Sequence, residues 1–128
     1  MKLHLSNPSG LYSFSGYGDG YVEINGQRHI PSLVITPQSL QLENWSDVSF
    51  ESLSEDHFSR LVLLKPEMVL LGTGTKLRFP HPRLSRALVQ ARIGLDVMDT
   101  GAACRTYNIL MAEGRGVLAL LLQETLQA

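Results

Sequence analysis

The sequence predicts an α/β fold in which a β-hairpin precedes a C-terminal β-α-β-α-β unit at residues 67–122. Three apolar, strand-sized runs, at residues 68–71, 95–98 and 117–122, alternate with two stretches of helical periodicity. This alternation is typical of helices packed on a largely parallel sheet. A second observation is the dipeptide Asn-Gly within the β-rich region 11–36, because it favours a two-residue hairpin turn.

The N-terminal strands follow from this turn. Residues 21–24 and 27–30 flank Asn25-Gly26, and the resulting register places Glu23 opposite Arg28. The glycine-rich stretch 16–20 superficially resembles a phosphate loop, but a strand follows it where a dinucleotide-binding fold needs a helix, so we interpret it as a turn. The continuous apolar run at residues 33–35 predicts a strand covered on both faces, which would extend or cover the main sheet.

Shorter elements connect the two halves. Residues 42–45 and 77–79 are predicted as short strands. Ser54 is the predicted N-cap of a short helix with an acidic first turn. His81-Pro82 opens a second helix, in which Leu84, Ala87, Leu88 and Ala91 form the apolar stripe.

The most informative stretch is residues 95–116. It predicts a buried strand, a tight turn in which Asp99 or Thr100 caps the following helix, and a nearly all-apolar helix that ends near Glu113. Gly114 suits the left-handed position after the last turn. Because little of this helix is polar, we expect it to be covered on most sides.

The composition limits the class of protein. A chain of 128 residues with 44% apolar residues is expected to form a single domain, residues 1–128. The net charge of −1 provides no field that favours nucleic acid, although residues 1–64 carry −4 and residues 65–128 carry +3. The single cysteine excludes an internal disulfide. No signal-peptide core and no apolar run of the ~20 residues that span a membrane is visible, so we expect a cytoplasmic protein that is not an integral membrane protein.

Two loops leave predicted strands in the same direction, so we expect them at one sheet edge, where α/β proteins bind ligands. The loop 72–75 offers approachable backbone N–H groups, and the turn 99–101 begins the apolar helix, which together predict an anion or small-molecule pocket. Lys76 or Arg78 could add positive charge. Alternatively, the glycines only make turns. The candidate pocket residues are Gly72, Thr73, Gly74, Thr75, Asp99, Thr100, Gly101, Cys104, Arg105 and Asn108.

Among the candidate pocket residues, Cys104 carries the thiol, which is the side chain that could act as a nucleophile. It is predicted in the first turn of the helix and beside Arg105, where the pKa of a thiol is expected to fall, with Asp99 opposing, as a nucleophile requires. None of the four histidines is near it in sequence, and the simpler interpretation is a small buried hydrophobic residue. We therefore assign no catalytic residue. We expect no metal and no cofactor, because the spacing of His and Cys matches no ligand motif and no Walker motif occurs.

The second candidate site is a basic helix face. Arg83, Arg86 and Gln90 lie opposite the apolar stripe of the predicted second helix. Such a face could meet an acidic partner, although a basic helix face is more often simply solvated.

The segments around the candidate pocket carry a resemblance to a known family. The run MDTGAACRTYNILMAEGR at residues 98–115, with LLGTG at 70–74, resembles the domain-of-unknown-function 498 family. The SGYGDGYVEINGQ hairpin, the SLVITP strand and Trp45 extend the resemblance over nearly the whole chain. It implies a three-layer fold around a central mixed sheet and a short bacterial form of a family whose mitochondrial branch is a complex I assembly factor. It implies no established activity, cofactor or catalytic set.

The leading hypothesis is a non-enzymatic interaction or accessory protein, in the assembly or biogenesis of a respiratory or membrane complex, with an unidentified protein partner. The alternative is a small-molecule or anion-binding domain, or a thiol enzyme using Cys104, at the candidate pocket. A third hypothesis is a homodimer formed through the apolar C-terminal strand or the hairpin edge.

Overall fold

The computed structural model describes residues 1–3 and 10–123 of the chain. In these residues the strands are β1 Phe14–Gly18, β2 Tyr21–Ile24, β3 Gln27–His29, β4 Leu33–Ile35, β5 Leu40–Gln41, β6 Met68–Gly72, β7 Gly94–Met98 and β8 Val117–Leu121. The helices are α1 Glu55–Val62, α2 Arg86–Gln90 and α3 Thr100–Ala112, and a 3₁₀ turn at Pro82–Ser85 leads into α2. His4 and the polar tail after residue 123 lie outside the described residues.

The central sheet is mixed. Its strand order is β5-β4-β8-β6-β7, and β6 is parallel to both β7 and β8. β4 adds to β8 in the antiparallel direction, and β5 is antiparallel to β4. The predicted α/β class with a C-terminal β-α-β-α-β unit is therefore confirmed, and the mixed sheet that the family resemblance implies is confirmed with it.

Alternate residues of the inner strands enter two different hydrophobic cores, as a period-two strand covered on both faces requires. In β8, Val117, Ala119 and Leu121 belong to the core on one face of the sheet. Leu118 and Leu120, which point the other way, belong to the core on the opposite face.

The layer on the first face consists of α3 and the three-stranded sheet β1-β2-β3. The Asn25-Gly26 turn joins β2 to β3 with positive φ at both residues, as a type I′ turn requires, and Glu23 is the cross-strand partner of Arg28 as predicted. Ala103, Tyr107 and Met111 of α3 are buried in this layer.

The layer on the second face consists of α1, α2 and the segment around Trp45. Ser54 caps α1 in a full capping box, in which its hydroxyl accepts from the His57 N–H and its own N–H donates to His57 Nδ1. Phe58 and Leu61 of α1 and Leu88 of α2 are buried against the sheet.

Several local predictions were wrong. Residues 95–98 were expected to form a buried strand, but β7 is the edge of the central sheet, and its Gly94 and Asp96 are exposed. By contrast, the helix α3 is buried or half-buried at ten of its thirteen residues, and its exposed stripe consists of Arg105, Ile109 and Ala112.

The connecting segments also differ from the prediction. The stretch 16–18 belongs to β1, and the turn is confined to Asp19-Gly20. Residues 42–45 and 77–79, which were predicted as short strands, are not strands. A short strand, β5, occurs just before the first of these segments and pairs with β4. The predicted second helix is split into a 3₁₀ turn and the five-residue α2.

No helix within residues 1–3 and 10–123 combines the length and the apolar character that a membrane crossing requires.

Candidate functional site

The two glycine-bearing loops meet at one edge of the central sheet. The Gly74 N–H donates to Thr100 Oγ1 at 3.1 Å, and the Thr100 N–H donates to the Gly74 carbonyl at 2.9 Å. The Thr73 N–H donates to the Met98 carbonyl at 3.0 Å. Because these bonds join the end of β6 to the start of α3, the juxtaposition expected from the parallel strands is present.

The N-terminus of α3 is already occupied by groups of the chain itself. Asp99 is the N-cap, and its Oδ1 accepts from the Ala102 N–H at 2.9 Å. The Thr100 N–H is taken by the Gly74 carbonyl. The partial positive charge of the helix end therefore faces the carboxylate of Asp99, and an external anion would compete with it.

A third element, β1, completes this edge. The hydroxyl of Tyr17 accepts a hydrogen bond from Arg105 Nη1, and the guanidinium lies 5.8 Å from the centre of the Tyr17 ring. The same ring lies directly on Gly101, where a side-chain Cβ would come within 2.8 Å of it. Glycine at position 101 thus allows the tyrosine to rest on the first turn of α3.

These elements surround an open depression of about 360 Å³. Six residues of the predicted pocket line it: Gly74, Thr75, Asp99, Thr100, Gly101 and Arg105. The other lining residues, Tyr17, Gly18 and Asp19, were missed. The only sequence signal for them was the glycine-rich turn after β1, which carries no information on the element it packs against.

Four residues of the predicted pocket lie elsewhere. Gly72 is beneath Leu121 and Ala103, where a Cβ would come within 2.6 Å of the leucine side chain. Thr73 is buried, and its hydroxyl donates to the Lys76 carbonyl at 2.7 Å. Cys104 and Asn108 face the core between α3 and the three-stranded sheet. These four support the edge from inside the protein.

Cys104 lacks the environment of a nucleophile. It is the fifth residue of α3, in the second turn rather than the first, and its side chain is fully buried. Burial raises the pKa of its thiol to about 12, which outweighs the opposing effect of Arg105. The expected lowering of the pKa is therefore wrong, and the thiol-enzyme alternative loses its physical basis.

The charges around the depression do not favour an anion. Asp19 and Asp99 contribute two carboxylates against the single guanidinium of Arg105. Arg78, expected to add positive charge, instead pairs with Glu51 at 2.7 Å and stacks on the ring of Phe50. Across residues 1–3 and 10–123, no three His, Cys, Asp or Glu side chains are grouped to hold a metal ion.

The second candidate site is exposed as predicted. Arg83, Arg86 and Gln90 are all exposed, while Leu88 of the same helix is buried. Neither arginine forms an ion pair with any side chain in the described part of the chain. Their charges are therefore available to a partner.

The topology removes one of the two predicted dimer routes. β8 is hydrogen-bonded to β4 on one side and to β6 on the other, so the C-terminal strand has no open edge. The edge strands of the three-stranded sheet are β3 and β1, and an isolated bridge joins Lys2 to Gly16 of β1.

Fold and surface together define a class: an α/β protein with a mixed central sheet, a shallow depression at the carboxyl ends of β6 and β7, and a basic helix face. Residues 14–122 match the family model described as a protein of unknown function (DUF498/DUF598). The chain belongs to this family.

Named relatives and solved structures agree with this assignment. The NADH dehydrogenase [ubiquinone] 1 alpha subcomplex assembly factor 3 of Bos taurus is 34% identical over 122 residues, which are 94% of this chain and 65% of that protein. The 13 kDa major membrane protein of Francisella tularensis is 28% identical, over 85% of this chain and 89% of its own length. A crystal structure of a Bordetella parapertussis protein superposes with a TM-score of 0.82 at 35% identity, over 91% of this chain and all of that one.

Proposed function

We propose that this chain is a non-enzymatic accessory protein that binds another protein during the assembly or biogenesis of a respiratory or membrane complex. The observation that carries the proposal is the similarity to a protein named as an assembly factor, which extends over 94% of this chain. Because the chain spans 65% of that relative, the proposal concerns the shared region.

The surface proposed for partner binding is the basic face of Arg83, Arg86 and Gln90. Arginine is enriched at protein interfaces, where its guanidinium can form several hydrogen bonds at once. Because neither arginine has an ion pair within the described residues, no such pair has to break when a partner binds. Their exposure supports a role in recognition, because neither is needed to hold α2 on the sheet.

Affinity capture from the cells that encode the chain tests the proposal. The wild-type chain is expected to recover subunits of one membrane or respiratory complex, and the double variant Arg83→Glu/Arg86→Glu is expected to lose them. The matched control is Lys65→Glu/Lys76→Glu, which reverses two exposed cations outside α2 that form no ion pair with a described residue, and it should retain the subunits.

The melting temperatures of both double variants must match that of the wild type, so that a loss of binding cannot be attributed to a loss of folding. Recovery of the same proteins by all three chains would contradict the proposed surface. Recovery of no complex subunit by the wild type would contradict the proposed function.

Location and oligomeric state follow from the same proposal. The cytoplasm is the proposed location, and cell fractionation with immunoblotting tests it. Dimerisation through the edge strand β3 is the remaining dimer hypothesis, and sedimentation of the isolated chain tests it.

A further inference from the structure

A surface groove runs between α1 and α2. One part of it is lined by Ser59 and Val62 of α1 together with Ala87, Gln90 and Ala91 of α2. An adjoining part shares Ser59, Ala87 and Gln90 with the first and extends to Glu55 and Arg86. The groove therefore follows α1 from its first residue to its last, a length of roughly 10 Å at ~1.5 Å per residue.

The shape of the groove suits a helix better than a small molecule. Both parts are open to solvent along their length, and none of the described helices and strands closes over them. Val62, Ala87 and Ala91 are apolar lining residues beside the polar Ser59 and Gln90, and the short alanine side chains allow close approach of another backbone. A helix of about two turns would fill this length with its apolar face.

The charges around the groove indicate which charge a bound segment should carry. Residues 68–95 contain five Lys or Arg residues and no Asp or Glu. Three of the five, Arg83, Arg86 and Arg92, are exposed on or beside α2 and form no ion pair with any described residue. Of these, Arg86 lines the groove; on the α1 side Glu55 lines it, and Asp56 pairs with Arg60. Arg86 therefore offsets Glu55 within the groove, and the charges of Arg83 and Arg92 beside it make the surroundings positive.

We propose that the α1–α2 groove binds an amphipathic helix of a partner protein, with its apolar face on Val62, Ala87 and Ala91 and its acidic residues against Arg83, Arg86 and Arg92. This inference rests on the proposed function and adds the chemistry of the partner segment. The apolar residues of an open groove between two helices are covered by the side chains of a third helix, whereas a lipid bilayer reaches only protruding side chains. A protein helix is therefore the occupant that the geometry favours.

Site-specific photo-crosslinking of the full chain in its own cells tests the proposal. A photoreactive residue is placed at Ser59 or at Ala91, both exposed in the groove, and the matched control places it at Ile109, exposed on α3. The crosslinked peptides are then sequenced. The expected product is a segment of another protein with excess Asp and Glu and apolar residues three and four positions apart.

A synthetic peptide with the crosslinked sequence then tests the charge. Arg83→Glu/Arg86→Glu is expected to weaken its binding by at least about tenfold, which corresponds to the loss of two charge pairs at an interface. A peptide with its acids replaced by lysine is expected to bind the double variant more tightly than it binds the wild type. Equal affinity of the acidic peptide for both chains would overturn the proposal.

Other crosslinking outcomes overturn it as well. These are crosslinks to lipid, to a second copy of the chain, to a segment without acidic excess, or at a yield no higher than at Ile109. If affinity capture still depends on Arg83 and Arg86 while Ser59 and Ala91 do not crosslink, only the groove is refuted. If capture fails too, the proposed function fails with it.

Discussion

Asn108 of α3 and Phe14 of β1 are joined by two hydrogen bonds in the protein interior. The side-chain Nδ2 of Asn108 donates to the Phe14 carbonyl at 2.8 Å, and the Phe14 N–H donates to Asn108 Oδ1 at 2.9 Å. The neighbouring Tyr107 hydroxyl donates to the Tyr12 carbonyl, and the rings of Phe14 and Tyr107 meet edge to face. Through these contacts α3 fixes the three-stranded sheet in place, and with it Tyr17 at the depression.

Replacement of Asn108 by alanine is expected to lower the free energy of unfolding by about 2–4 kcal/mol. The reason is that both backbone groups of Phe14 would stay buried without a partner, at a cost of about 1–3 kcal/mol each. Urea unfolding measures the change. The control is Ile109→Ala at the adjacent exposed position, for which we expect a change within about 0.5 kcal/mol. Similar losses for the two variants would show that the Asn108 bonds contribute little.

The stability of the protein is expected to fall as the pH drops below the ordinary histidine pKa of 6.5. Burial lowers the pKa of His57, and burial lowers the pKa of His29 as well. Because the folded pKa lies below the unfolded value, the unfolded chain takes up the proton first, so stability present above pH 6.5 is lost as the pH falls towards the folded pKa. Protonation of His57 also removes the Nδ1 acceptor of the Ser54 N–H.

The variant His57→Gln separates titration from capping. Glutamine at this position can still accept from the Ser54 N–H but does not titrate. Urea unfolding, followed by the fluorescence of Trp45, whose ring lies 5.7 Å from that of His57, is expected to show a smaller loss between neutral and mildly acidic pH than in the wild type. His57→Gln/His29→Gln should show the smallest loss. An unchanged pH dependence in both variants would exclude these histidines as its source.

Asp99→Ala is expected to cost about 0.5–2 kcal/mol of stability, because it removes the N-cap acceptor of the Ala102 N–H. Asp99→Asn, which keeps an acceptor oxygen, should cost less. If the Asp99 carboxylate occupies the position at the N-terminus of α3 where an external anion would bind, its removal lets sulfate bind there. Added sulfate should then raise the melting temperature of Asp99→Ala more than that of the wild type. An equal effect of sulfate on both would show that Asp99 does not compete with external anions.

Local signals in the sequence identified Ser54 as a cap and Asn25-Gly26 as a turn, and they limited the cap of α3 to Asp99 or Thr100, of which Asp99 is the cap. These residues act within a few positions of their own, so short-range patterns reveal them. The meeting of the Gly74 loop with Thr100 also followed, because parallel strands end at one sheet edge.

What the sequence did not reveal depends on distant pairing. β7 is an edge strand because β4 adds to the far side of β8, a partnership that the apolar character of residues 95–98 does not encode. The contact between Tyr17 and Arg105 joins residues 88 positions apart. In the same way, Asn108 looked like a pocket residue because nothing nearby in sequence shows that it binds Phe14.

Cys104 is expected to be inert in the folded protein. Its thiol is fully buried and its pKa is raised to about 12, so thiolate is scarce at neutral pH and a reagent cannot reach the sulfur. Titration with a chromogenic disulfide reagent should therefore label the chain only as fast as it unfolds, and the labelling rate should rise with urea in parallel with the unfolded fraction.

The matched control for Cys104 is Cys104→Ala/Ala112→Cys, which moves the thiol to an exposed position of the same helix. This variant should react at once without denaturant. If the wild-type chain reacted as fast as the control, Cys104 would be accessible to solvent, and the packing of α3 against β1 would have to open in the native state. Because that packing also holds Tyr17 over Gly101, such opening would change the depression too.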